Sequence, residues 1–89
     1  LPDKEDRLDQ MRFLNSVFAV IEHITKAELT NTSKRLVISY INQSTRLPLL
    51  ERARQAIIRY TSANLPAEDQ TLSQLMLNLE SEASRLERG

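Results

Sequence analysis

The chain has 89 residues and no net charge, with 12 Lys and Arg balancing 12 Asp and Glu, which is the size of one small domain. It has no cysteine, and its only glycine is Gly89, so thiolate nucleophiles, cysteine zinc sites, glycine-rich phosphate loops and nucleophile elbows are excluded. The longest apolar run is far short of the roughly 20 residues that cross a bilayer, and the opening LPDKED is no secretory signal. These features suit a cytoplasmic chain. The lack of an initial Met leaves open a processed chain or a fragment of something longer.

Helix is the expected state throughout, because short polar turns are the connections a chain without internal glycine makes most easily. Asp3 follows Pro2 as a candidate cap, with Glu5 and Asp6 in the positive first turn. Met11, Phe13, Leu14, Val17, Phe18, Val20, Ile21 and Ile24 then recur at helical spacing. They cover about half of the helix circumference, wider than the stripe one neighbour needs. Asp3–Arg7 and Glu22–Lys26 stand at i,i+4, which supports a first helix over about 3–27.

TNTS at 30–33 offers a run of capping residues, and a second helix is expected over 33–43. VISYI within it also suits a strand, but nothing in the chain could partner one. Ser44 and Thr45 are the expected cap of a third helix over 46–63, with Pro48 in its first turn. Leu49, Leu50, Ala53, Ala56, Ile57 and Tyr60 form its apolar face. After NLPAEDQ (64–70), Thr71 and Gln74 have capping-box spacing for a fourth helix over 67–87. Leu72, Leu79 and Leu86 fall seven apart, a seam too short for a zipper. The expected fold is an all-α, small antiparallel helical bundle of three main helices plus a C-terminal fourth, forming a single domain over residues 1–89.

Little catalytic chemistry is on offer. His23 is the only histidine, and its wheel position beside Arg12 and Ser16 reads as a solvated polar face. No Glu-x-x-His spacing supplies a second metal ligand. The carboxylates Asp3, Glu5, Asp6 and Asp9, and Glu80, Glu82 and Glu87, read as capping charges and solvated faces. Neither an enzyme, a cofactor, a metal nor a small-molecule substrate is expected.

Charge is unevenly spread. Residues 34–59 carry Lys34, Arg35, Arg46, Arg52, Arg54 and Arg59 against Glu51 alone, and both flanks are acidic. Lys34, Arg35, Arg52, Gln55 and Arg59 are therefore the candidate contacts to an acidic partner or to nucleic acid. The second helix, STRLP and the third helix loosely echo a helix-turn-helix. Phe13, Val17, Val20, Leu72, Leu79 and Leu86 are the candidate apolar interface, because helix 1 has apolar surface to spare and the Leu seam adds more.

SKRLVISYIN and QAIIRYT, within about residues 33–61, resemble pieces of the short enterobacterial two-component connector and biofilm-regulator proteins. The match needs a gap between the pieces and leaves the last helix without a counterpart. The resemblance implies a small helical dimer acting on signalling proteins, with DNA contact also proposed for that group. The expected function is a non-enzymatic regulatory or adaptor protein working through protein–protein contacts with a helical or acidic partner, as a homodimer. A DNA-binding transcription regulator using the Arg-rich third helix, and a structural component of a larger assembly, are the alternatives.

Overall fold

The computed structural model describes residues 4–62, 67 and 69–88. Four helices follow in chain order: α1 (Lys4–Thr25), α2 (Asn31–Gln43), α3 (Leu49–Thr61) and α4 (Gln70–Arg88). There is no strand among the described residues, and the chain folds as a small all-α bundle. The expected Asp3 cap and the Asp3–Arg7 pair lie outside the described residues.

Two helices end without glycine. Lys26 follows α1 with φ 59, and Ser62 follows α3 with φ 60. Both take the left-handed conformation, at a cost of roughly 1 kcal/mol for a residue with a Cβ. Their N–H groups close the last turns on Glu22 O at 2.9 Å and on Ile58 O. The expected Glu22–Lys26 pair does not form. Glu22 Oε2 instead accepts the Leu29 N–H at 2.8 Å, which pins the connection and leaves Leu29 buried.

Three caps were legible only in part. Thr30 caps α2 as expected of the TNTS run, its hydroxyl accepting from Ser33 N at 3.1 Å. Ser44 does not cap α3 but closes α2, and α3 starts later, with Pro48 at its N-cap and no side-chain bond from that residue. The carboxylate of Glu87, at the far end of α4, takes the Leu49 N–H at 2.7 Å instead. Thr71 does not cap α4 either: Asp69 Oδ1 accepts from Leu72 N at 2.6 Å, and Asp69 O accepts from Ser73 N at 3.0 Å.

α1 and α4 share the largest interface, followed by α2 with α3. His23 meets Asp69 at one end of the first pair and Asp9 meets Arg85 at the other, so α1 and α4 are antiparallel. Leu49–Glu87 and Arg54–Glu80 set α3 antiparallel to α4 in the same way. α2 lies differently. Its final residues contact both Arg52 and Arg59, two turns apart, so its end crosses the middle of α3.

The wide apolar surface of α1 is consumed inside the chain. Val17, Ile21, Val37, Ala53, Ala56 and Leu79 are fully excluded from solvent, and Phe13, Val20 and Leu72 nearly so. This corrects the expectation that Phe13, Val17, Val20, Leu72 and Leu79 offer an outward interface: α1 faces α4 on one flank and α3 on another, which takes up the excess. Leu86, at the end of the seam, is half-buried against the same core.

Candidate functional site

The basic residues of 34–59 have different fates, decided by the helix crossing. Arg52 is half-buried, and its Nε donates to Ile41 O at 3.1 Å, a carbonyl that also accepts from Ser44 N. Its cation thereby satisfies the negative C-terminal end of α2. Arg54 pairs with Glu80 at 3.2 Å across the α3–α4 seam. Arg59 is exposed, but its guanidinium lies 4.1 Å from the Tyr40 ring centroid and donates to Gln43 Oε1. Gln55 donates to Glu51, one turn back, at 3.3 Å. Lys34 lies over Phe18, 5.5 Å from the ring centroid.

The five candidate contacts thus do not form one outward patch. Arg52 faces inward to α2, Gln55 is half-buried on α3 beside Glu51, and Arg59 bridges α3 to α2. Lys34 and Arg35 start a different surface along α2. There Arg35 is exposed, as is Arg46 in the following turn, and neither has an ion pair among the described residues. Sequence reasoning did not single out Arg46 as a contact, although the absence of any carboxylate between Glu28 and Glu51 marks it.

Beside this surface lies an apolar groove of about 400 Å³ between α1 and α2. Leu14, Ile38, Leu49 and Leu86 wall it, one from each helix, with Phe13 and Ile41 below. The amides of Gln10 and Asn42 stand at its rim. The sequence shows these aliphatic residues as ordinary helix faces; only the assembled bundle leaves space between them.

His23 is not the solvated side chain that its wheel position suggests. Its ring is 18% exposed and Nε2 sits 3.0 Å from Asp69 Oδ2. The Leu72 N–H and the His23 contact hold the Asp69 carboxyl below its usual range. Glu82 Oε2 is buried with no hydrogen-bond partner among the described residues. No cluster of three metal-ligating side chains occurs among those residues, and no helix there is long and apolar enough to cross a membrane.

Compared with known proteins, the chain matches no family model, no curated protein and no solved structure. The likeness of SKRLVISYIN and QAIIRYT to biofilm regulators therefore carries no family assignment.

Proposed function

We propose that this chain is a non-enzymatic regulatory or adaptor protein that acts by protein–protein contact, meeting an acidic partner through α2 and the turn after it. One observation carries the reading. The stretch from Leu29 to Leu50 has no carboxylate, and Arg35 and Arg46 stand exposed along it without an internal counter-ion among the described residues. Cations of this kind draw an acidic surface in and speed encounter more than they add affinity. The core closes within one chain, so the reading does not depend on a homodimer.

The DNA-binding alternative draws less support from the geometry. A recognition helix needs base-reading side chains free to enter a groove. On α3, Arg52 is committed to the end of α2, and Arg54 to Glu80.

The test is gentle purification of the tagged full chain from its native source with and without nuclease, beside the double variant Arg35→Glu with Arg46→Glu. A stoichiometric protein that survives nuclease and is lost from the double variant supports the reading. Nucleic acid that leaves with salt, and fails to bind when Arg59 is replaced by Ala, overturns it in favour of the DNA alternative.

A further inference from the structure

The apolar groove and the carboxylate-free surface adjoin. Arg35, Ile38 and Asn42 are spaced i, i+3 and i+7, so they share one side of α2. Asn42 and Ile38 line the groove, which places Arg35 one turn further along the same rim. Lys34 continues that end, its ammonium lying over the Phe18 ring. Two carboxylates stand nearby, and neither pairs with Arg35. Glu87 accepts the Leu49 N–H, and Asp6 lies on α1 one turn before Gln10. The groove therefore has an apolar floor and aliphatic walls, with the amides of Gln10 and Asn42 at its rim; Arg35 lies one turn beyond its lining on α2, and Asp6 one turn beyond it on α1.

That chemistry selects among occupants. Single-stranded nucleic acid is held by exposed aromatic platforms. Here the walls are Leu14, Ile38, Leu49 and Leu86, and the Tyr40 ring is covered by Arg59. A peptide helix is held by apolar anchors at i, i+3 or i+4, and i+7 in an apolar groove. From these observations we infer that the α1–α2 groove seats an amphipathic helical segment of a partner protein, with Leu-like anchors in the groove and carboxylates along the α2 rim. The inference rests on the protein-contact reading above and names the partner's chemistry.

The experiment uses the isotope-labelled full chain and a synthetic probe. The probe is an amphipathic peptide of about 16 residues, or some four turns, with Leu on one face and Glu on the others; its control carries Lys in place of Glu. The Glu peptide is expected to shift the side-chain amides of Gln10 and Asn42 and the methyls of Leu14 and Ile38, saturably, and to bind at least about tenfold more tightly than the Lys peptide. Arg35→Glu, at an exposed position that leaves the fold intact, should reverse that preference. Ile38→Ala should weaken both peptides.

Equal affinity for the two peptides, no saturable shift, or shifts centred elsewhere, such as around Leu77, overturns the inference. Displacement of the peptide by a single-stranded oligonucleotide also overturns it. A native protein partner that is lost with Arg35→Glu and Arg46→Glu but indifferent to Ile38→Ala sinks the groove and leaves the protein-contact reading standing. Loss of every bound species on nuclease treatment sinks the broader reading itself.

Discussion

His23 Nε2 lies 3.1 Å from Oδ1 and 3.0 Å from Oδ2 of Asp69, bridging both oxygens of a carboxylate 46 residues away. The same Oδ1 accepts the Leu72 N–H at 2.6 Å. One carboxylate therefore starts α4 and fastens it to the end of α1. The expected consequence is acid sensitivity. Asp69 is held below its ordinary value of 3.8, first by the Leu72 N–H and then by His23. A carboxyl depressed in the folded state contributes stability that is fully present above its unfolded value and lost as pH falls through its folded value. Thermal melts between pH 6 and 2 should show Asp69→Ala less stable than the parent at the upper end, with the gap closing below about pH 4. A constant gap across that range would mean the carboxylate is not the group responsible.

Leu79 and Leu77 separate core from surface on one helix. Leu79 is fully buried and Leu77 is 57% exposed. Leu79→Ala should cost about 2–5 kcal/mol in urea unfolding, by lost burial plus the cavity left behind. Leu77→Ala should stay within about 0.5 kcal/mol. Similar costs at the two sites would contradict the packing of α4 described above. Leu79→Asp should unfold the isolated chain, since a lone carboxylate cannot be accommodated in that core.

Arg52 and Arg59 should also behave differently on removal. Arg52→Ala takes a charged donor from a carbonyl at a helix end and should cost about 1.5–3 kcal/mol. Arg59→Ala loses a cation–π contact at an exposed site, worth about 0.5–1 kcal/mol. Arg52→Lys is expected to recover little, because the donor is Nε within a planar fork. Denaturant midpoints of the three variants give the ordering directly.

Glu87→Ala should loosen the start of α3 although it lies in α4. The carboxylate replaces the side-chain cap that Pro48 cannot provide, so its loss is expected to cost about 0.5–2 kcal/mol. Hydrogen exchange at the Leu49 amide should accelerate, with exchange in the middle of α3 moving less. Unchanged protection at Leu49 would show that the 2.7 Å bond is not maintained in solution.

The helices themselves were readable because their signal is local. Apolar residues at 3.6 spacing marked all four, and Thr30 within TNTS supplied a cap four residues or fewer from the groups it serves. Misreadings clustered where a partner comes from elsewhere in the chain. Thr71 had the spacing of a capping box, yet Asp69 lies closer to the true start and is braced by His23. Ser44 and Thr45 looked like a cap for α3, yet Glu87 serves that end from 38 residues away.

The sequence alone thus determined the helical class, the order and approximate lengths of the helices, and which side chains are apolar enough to be buried. Periodicity and turn chemistry act within one or two helical turns, and they need no knowledge of neighbours. Only the tertiary structure decided where those faces went. It turned the broad apolar face of α1 inward on α4 and α3, drew Arg52 to the end of α2, and set Arg35 one turn along α2 from the apolar groove. Those outcomes depend on how helices cross, and crossing is settled by side chains that are distant in the chain and adjacent only after folding.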